Sequence, residues 1–319
     1  MVQSRSAEVH LRNLKKSTGF KVLAAITLIS SSIGIISLLG SGVASATPAM
    51  PPTMSSWYVE DVNTSTAYNT GCAHAQFANS VGTGGTVILD FGGQVNSSTL
   101  EEIVNGLQVS DSQVQSMVVA YASGYYNCSN GAVVDLAIGT NNSIGNGSGF
   151  GSAWAYEVNG IAEAVAPSYG SKVTIFGGSD IEPSWGTQTA TMSWSQGYGS
   201  VAGYHDYIDF GSADGCPTNT DANGNCSNYW NQYGVWYVAY GSTPALSAPI
   251  IYYSVNATQW EEISLYGSTY QSLGIGFWGP VDEYPRDTST NTSSQAWSQL
   301  TGATGQDPSF SLEFQAGSV

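Results

Sequence analysis

The chain has 319 residues, with 23 acidic side chains, 7 basic ones and a formal net charge of −16. A protein this acidic repels the phosphates of nucleic acids and the anionic headgroups of lipids, so neither is expected as a partner. The imbalance grows beyond residue 46, where 22 acids face only Lys172 and Arg286. The charge does not exclude neutral polymers as ligands.

The first 46 residues have the pattern of an export signal. An apolar run over residues 22–39 is followed by an A-x-A cleavage signature at residues 44–46. The basic residues of this segment are Arg5, Arg12, Lys15, Lys16 and Lys21. We predict a signal peptide over residues 1–46 and a secreted, extracellular mature chain. An uncleaved membrane anchor is the alternative, because the apolar run approaches the length that spans a bilayer.

All four cysteines lie beyond the predicted signal, in a part of the chain where disulfides would persist after export. Cys216 and Cys226 bracket a short polar loop, so a local bridge between them, with Cys72 joined to Cys128, is the simplest of the three possible connectivities. There is no C-x-x-C spacing, and few histidines are available as ligands. We therefore predict neither a metal nor a cofactor.

Short apolar runs rich in β-branched and aromatic residues recur along the chain. They cover residues 57–59, 87–91, 117–121, 133–138, 173–176, 207–210, 235–240, 250–253 and 275–278. Several are continuous rather than alternating, which is typical of parallel strands that are buried on both faces. Helical patterns lie between some of them: residues 98–107, a stripe of Trp154, Val158, Ile161 and Val165, and a segment with Trp260 and Ile263.

Strands that alternate with helices predict an irregular (β/α)₈ TIM-like barrel in the α/β class, with an open doubly wound sheet as the alternative. We expect a single domain over residues 57–319, after a flexible leader over residues 47–56, because no linker divides the chain. Nine strand-like runs are one too many for the barrel. Residues 57–59 could therefore pair with the alternating tail at residues 309–314, or plug the barrel floor.

The stretch SKVTIFGGSDIEPSW, residues 171–185, places two acids directly after a buried strand. In parallel barrels the chemistry gathers at the carboxyl ends of the strands. Asp180 and Glu182 are two residues apart, so on an extended chain they point to the same side, and Pro183 favours that extended geometry. Crowding two carboxylates raises the pKa of one of them, and glycosidic bond cleavage uses such an acid with a second carboxylate. Alternatively, Asp180 caps the next turn and Glu182 makes a buried hydrogen bond.

Further acids and aromatic rings stand at or near the predicted strand ends, where they could contact a bound sugar. They are Asp90, Asp135, Trp185, Tyr207, Trp236, Tyr240 and Trp278. Aromatic rings stack on the apolar faces of sugars, so we predict a polysaccharide or oligosaccharide ligand. A place in the core is the alternative for each ring.

The Asp-x-Glu after a central strand, the strand order and Trp278 near the last strand resemble secreted glycoside-hydrolase-like barrels, distantly those of the chitinase and lysozyme type. The resemblance implies that Glu182 is the proton donor and that Asp180 orients a substrate N-acetyl group, which itself attacks the sugar carbon. The full D-x-x-D-x-D-x-E pattern is absent, since glycines and a serine precede Asp180.

The expected function is hydrolysis of a neutral or N-acetylated polysaccharide of the cell-wall or chitin type. A non-catalytic carbohydrate-binding or surface protein on the same barrel is the alternative. Both predict an aromatic cleft, but only the enzyme would release reducing ends with time.

Overall fold

A computed structural model describes residues 49–97, 100–102, 106–203, 205–285, 289–317 and 319. The predicted signal peptide over residues 1–46 lies outside this part of the chain, as does Arg286. Within the described residues, no helix is both long enough and apolar enough to cross a bilayer.

The described chain alternates between strands and helices. The strands are β1 Thr53–Val59, β2 Gly85–Gln94, β3 Leu100–Glu102, β4 Gln108–Ser110, β5 Val134–Asn141, β6 Val173–Asp180, β7 Tyr207–Asp209, β8 Ala245–Ser247, β9 Val281–Asp282 and β10 Ser311–Gly317. The helices are α1 Thr64–Val81, α2 Asp111–Cys128, α3 Ser148–Tyr169, α4 Gln188–Val201, α5 Gln232–Trp236, α6 Ser254–Tyr270 and α7 Ser293–Thr304.

Eight of the strands form one curled, parallel sheet in the order β8-β7-β6-β5-β2-β1-β10-β9. The tail strand β10 lies beside β1, with Ser311 opposite Thr53, which confirms the pairing of the first apolar run with the tail. The other two strands, β3 and β4, form an antiparallel hairpin that is attached to the end of β2. The fold is therefore an α/β sheet of the kind that the alternating pattern predicts.

Backbone bridges also join the segments next to the two outermost strands. Ser247 pairs with Phe277 and Ile250 with Val281, both in the parallel sense. The amide of Ile251 donates to the carbonyl of Val281 at 2.9 Å. The chain after β8 thus runs alongside β9.

The helices cover the sheet with the apolar faces that their sequences predict. The stripe of Trp154, Val158, Ile161 and Val165 lies in α3 and is buried. The predicted segment around Trp260 and Ile263 lies in α6, with both side chains buried. Every residue of β2 is buried, because a parallel strand that is covered on both faces has no exposed side.

Aromatic rings fill the concave side of the sheet. The rings of Phe210 and Phe314 stack with their centroids 5.4 Å apart. Glycines on β5 and β6 make room for them: a Cβ atom at Gly139 would lie 2.9 Å from Cζ of Phe210, and one at Gly178 would lie 3.1 Å from its Cε1. Side chains alternate between the two faces of a strand, so these contacts identify which residues face inward.

Several sequence predictions of secondary structure are wrong. Residues 250–253 and 275–278 form no strand and contribute only the single bridges of Ile250 and Phe277. Residues 117–121 lie in α2, where Met117, Val118 and Tyr121 are buried on one helical face rather than in a strand. Residues 235–240 lie in α5 and in the π-helical turn Tyr237–Gly241. The described part of residues 98–107 includes β3 rather than a helix. Short apolar runs fit either structure, and here tertiary packing decided between them.

Two disulfides join Cys72 to Cys128 and Cys216 to Cys226, which confirms the predicted pairing. The first links α1 to α2 across a sequence separation of 56, and the second closes a local loop after β7 with a separation of 10.

Candidate active site

Four acids lie close together at the carboxyl ends of the strands, and we call them the acidic cluster: Asp90, Asp180, Glu182 and Glu283. Asp180 is the last residue of β6, and Glu283 directly follows β9. Burial raises the pKa of Asp180 well above its usual value, and the charges of Glu182, Asp90 and Glu283 raise it further. The structure thus brings the two acids of the Asp-x-Glu pair together with two acids from distant strands.

The alternation of side chains explains why these acids share one side of the sheet. Tyr58, Asp90 and Gly139 lie opposite one another on neighbouring strands, and Gly139 pairs with Gly178 on β6. Both glycines face the ring of Phe210, so the whole row faces the concave side. Asp180, two residues after Gly178, faces the same way.

Beneath the cluster lies an apolar floor, formed by the stacked rings of Phe210 and Phe314. The ring of Tyr58 packs against Phe314 with centroids 4.5 Å apart. Burial in these surroundings raises the pKa of Asp90 to about 7, although the amide of Gly92 donates to its Oδ1 at 3.0 Å and acts in the opposite direction. Low polarity around a carboxyl group favours its protonated form.

Asp180 carries an unsatisfied oxygen. The residue is 2% exposed, and within the described part of the chain its Oδ1 has no hydrogen-bond partner. A buried polar atom without a partner is costly unless a ligand or solvent satisfies it. Asp180 is therefore suited to bind a polar group that enters the cluster.

The main chain of Glu182 is held by the side-chain amide of Asn142, which follows β5. The amide of Glu182 donates to Oδ1 of Asn142 at 3.0 Å, and Nδ2 of Asn142 donates to the carbonyl of Glu182 at 3.0 Å. The strand β6 itself ends at Asp180, and a turn begins at Glu182, whose carbonyl accepts from the amide of Trp185. Glu182 lies beyond the end of β6, so its main chain is positioned by Asn142 and not by strand pairing.

The surroundings of Glu182 favour the protonated form of its carboxyl group and raise its pKa to about 8. Burial is the largest cause, followed by the charge of Asp214, with a smaller contribution from Glu283. The hydroxyl of Ser184 lies 3.3 Å from Oε2 of Glu182 and 2.8 Å from Oδ2 of Asp214, and its hydrogen bond to Glu182 lowers this pKa. An acid with such a pKa can donate a proton near pH 7.

Glu283 is surrounded by hydroxyl donors instead. The phenol of Tyr58 donates to its Oε1, and Tyr252 hydrogen-bonds to both Glu283 and Tyr58. Burial raises the pKa of both tyrosines well above the usual value, so they remain neutral donors. Sequence reasoning missed both tyrosines, although each lies in one of the predicted apolar runs.

Exposed aromatic side chains lie in the segments that follow four successive strands. They are Trp185 after β6, Tyr229 after β7, Tyr253 after β8 and Tyr284 after β9. Trp185 is 42% exposed and Tyr229 is 91% exposed. Such rings provide surfaces on which sugars can stack.

The loop that carries Tyr229 is hydrogen-bonded to the main chain next to Trp185. Nδ2 of Asn228 and Nε1 of Trp230 both donate to the carbonyl of Gly186, at 2.9 and 2.8 Å. Asn228 and Tyr229 have φ angles of 51° and 60°, a left-handed conformation that is unfavourable for residues other than glycine. These hydrogen bonds hold the residues on either side of the exposed Tyr229.

The structure places two of the predicted sugar-binding residues at the opposite end of the sheet. Asp135 is the second residue of β5, near its amino end, and it interacts with Thr174. The indole of Trp278 donates to Thr86 at the beginning of β2, at 2.9 Å, and stacks on Phe310 before β10. Neither residue joins the acidic cluster.

The structure also places Tyr207, Trp236 and Tyr240 away from the cluster. Tyr207 is buried against α4, where its ring packs on Trp194 and Tyr198. Trp236 is buried in α5, and Tyr240 lines a cavity near the amino ends of β7 and β8. Their sequence runs are helical or face the helix layer, so the strand-end reasoning did not apply to them.

Within the described residues, no group of three His, Cys, Asp or Glu side chains has the geometry to hold a metal ion. No protein-family model matches this chain, and no curated protein matches it at a significant level.

Proposed function

We propose that this protein is a secreted glycoside hydrolase that cleaves a neutral or N-acetylated polysaccharide by carboxylate acid catalysis. The observation that carries the proposal is the position of Glu182, whose main chain is held by Asn142 and whose carboxyl group accepts from Ser184. It lies two residues after Asp180, whose buried Oδ1 is unsatisfied, and the raised pKa of Glu182 fits the role of an acid. Glycosidic cleavage needs an acid that protonates the leaving oxygen, and it needs negative charge or a nucleophile near the anomeric carbon.

The proposed scaffold is a closed (β/α)₈ barrel. Its support is the parallel order of eight strands together with the bridges from Ser247 to Phe277 and from Ile250 to Val281, which run between the two outermost strands. In such a barrel the loops after the strands surround the site, which fits the location of the acidic cluster.

A neutral substrate is favoured by the charges around the site. Acids dominate the cluster, and Lys172 is remote from it: its ammonium group donates to the carbonyls of Tyr126 and Ser129, before the amino end of β6. An anionic glycan would be repelled. The exposed rings of Trp185 and Tyr229 supply stacking surfaces that do not depend on charge.

In this proposal Glu182 donates its proton to the glycosidic oxygen, and Asp180 binds the sugar next to the bond that breaks. In the chitinase-type resemblance, the group that Asp180 would orient is an N-acetyl group. Export is supported by the two disulfides.

The rival proposal is a carbohydrate-binding protein without catalysis, which the exposed rings alone would support. The two are separated by comparing wild type with Glu182→Gln on chitin, peptidoglycan and β-glucan at acidic and neutral pH, recording both reducing ends and binding. Glu163→Gln, an exposed position on α3, is the matched control. We expect Glu182→Gln to lower turnover by about 10² or more while binding persists.

Equal cleavage by wild type and Glu182→Gln would show that Glu182 is not the acid. Binding of a glycan by wild type without cleavage of any polymer would favour the non-catalytic protein.

A further inference from the structure

Glu283 differs from Glu182 in what surrounds its carboxylate. Glu283 accepts hydrogen bonds from the hydroxyl groups of Tyr58 and Tyr252, whereas Glu182 shares the single hydroxyl of Ser184 with the carboxylate of Asp214. Hydroxyl donors stabilise the charged form of a carboxylate, and a neighbouring carboxylate destabilises it. Two hydroxyl groups that point at one carboxylate hold it in a single orientation, and an oriented carboxylate is suited to act as a nucleophile.

Glu283 also lies on the concave side of the sheet, because Tyr58, which donates to it, pairs in register with Asp90 in the row of residues that faces inward. The charge of Glu283 contributes to the raised pKa of Glu182 and to that of Asp180. The negative charges of Glu283 and Asp180 both raise the pKa of Tyr252. A sugar bound at the unsatisfied Oδ1 of Asp180 would therefore lie within the field of both carboxyl groups.

We propose that Glu283 is the nucleophile that attacks the anomeric carbon, so that the enzyme retains the anomeric configuration and does not require an N-acetyl group on its substrate. This inference rests on the proposed glycosidase function. It differs from the mechanism that the chitinase-type resemblance implies, in which the substrate's own N-acetyl group attacks.

The proposed reaction has two balanced steps. In the first, a carboxylate oxygen of Glu283 forms a bond to the anomeric carbon, the bond from that carbon to the leaving oxygen breaks, and the leaving oxygen takes the proton of Glu182. In the second, Glu182 removes a proton from water, the water oxygen bonds to the anomeric carbon, and the ester bond to Glu283 breaks. Both carboxyl groups return to their starting states.

The two tyrosines are positioning residues in this scheme. They hold one orientation of the Glu283 carboxylate, and their hydrogen bonds weaken as its charge is used in the attack. The apolar floor of Phe210 and Phe314 lies beneath this network and limits its hydration.

The substrate class follows from this assignment. A nucleophile supplied by the protein makes the acetamido group dispensable, so a neutral glycan of unmodified hexoses, such as a β-glucan, becomes a substrate. Asp180, with its unsatisfied oxygen, would then bind a sugar hydroxyl.

The test compares wild type, Glu283→Gln, Glu283→Ala and the control Glu163→Gln on β-glucan and chitin. We expect wild type to cleave β-glucan with retention, read by NMR of the first anomer formed. Both Glu283 variants should lose activity by about 10³ or more, as expected for a nucleophile. Sodium azide should restore turnover to Glu283→Ala and yield a glycosyl azide of the opposite configuration, which a merely structural role would not produce.

A labelling experiment on the wild-type protein tests the assignment even if the variants fail to fold. Incubation with 2,4-dinitrophenyl 2-deoxy-2-fluoro-β-cellobioside should leave the fluorosugar on the peptide that contains Glu283, detected by mass spectrometry. Cleavage with inversion, cleavage restricted to chitin, or full activity in Glu283→Gln would overturn the assignment while leaving Glu182 as the acid. No cleavage of any polymer by wild type would instead remove the proposed function, and this inference with it.

Discussion

Asp214, in the loop after β7, adds to the effect of burial in raising the pKa of Glu182. Its charge is the largest contribution after burial to the raised pKa of Glu182, and Ser184 lies between the two carboxyl groups. A group whose pKa is held up by a neighbouring negative charge loses part of that shift when the charge is removed. In the proposed enzyme, the operating pH of the acid would thus depend on a residue that need not touch the substrate.

We predict that Asp214→Asn moves the alkaline limb of the pH–rate profile to lower pH. In wild type the limb should lie near pH 8, where Glu182 loses its proton. The variant should be less active than wild type between neutral pH and pH 8, and similar to it in acid. The measurement is kcat/KM across that range, with Asp206→Asn before β7 as the control. An unchanged or raised limb would contradict the assignment.

At the level of the strands, the glycines of β5 and β6 allow Phe210 to reach the interior. A Cβ at Gly139 would lie 3.0 Å from the Cα of Asp90 as well as 2.9 Å from Phe210. We predict that Gly139→Ala lowers the free energy of unfolding by about 1–3 kcal/mol, the usual range for overpacking. The measurement is chemical denaturation.

Gly160→Ala is the matched control, since this glycine lies inside α3 and an added Cβ would meet nothing within 4 Å. The helix propensity of alanine should stabilise the protein by about 0.5–1 kcal/mol. If both substitutions have the same sign, the proposed crowding around Phe210 is wrong.

The two disulfides should contribute unequally to stability. Loop-closure entropy grows with the number of residues enclosed, and the separations are 56 and 10. We predict that replacing Cys72 and Cys128 by Ala lowers the free energy of unfolding by about 1.5 kcal/mol more than replacing Cys216 and Cys226. Replacing Cys216 and Cys226 should mainly weaken glycan binding, because that bridge constrains the loop that carries Tyr229. An equal loss of stability in both double variants would refute the ordering.

For the whole molecule, the buried acids couple stability to pH. Burial raises the pKa of Asp90 to about 7, of Asp209 to about 8 and of Glu182 to about 8, all above their values in an unfolded chain. The folded protein therefore holds protons that the unfolded chain has already released. Their contribution to stability is fully present below about pH 4 and is lost as the pH rises to about 8, at about 1.4 kcal/mol per pKa unit.

We predict that the melting temperature falls steadily between pH 4 and pH 8. Asp90→Asn, which keeps the shape and removes the titration, should make this dependence shallower, whereas Glu163→Gln on the exposed face of α3 should not. Calorimetry across the range is the measurement. A melting temperature that rises with pH would show that these acids are ionised in the folded protein.

The sequence by itself determined the features that depend on local pattern. Continuous apolar runs indicated parallel strands, and the polar loop between Cys216 and Cys226 indicated their bridge. The spacing of Asp180 and Glu182 after β6 pointed to the acidic site. The parallel strands and the bridge are confirmed, because strand burial and short loop closure act over a few residues, whereas the site stays a prediction.

Only the tertiary structure decided which distant residues meet. Tyr58 comes from the first strand, while Tyr252 and Glu283 follow β8 and β9, and no sequence pattern joins them. Sheet order brings these residues together, and the register determines which face each side chain takes. The same register places Asp135 and Trp278 at the opposite end, because position along a strand, rather than nearness to a polar loop, determines which end of the sheet a residue occupies.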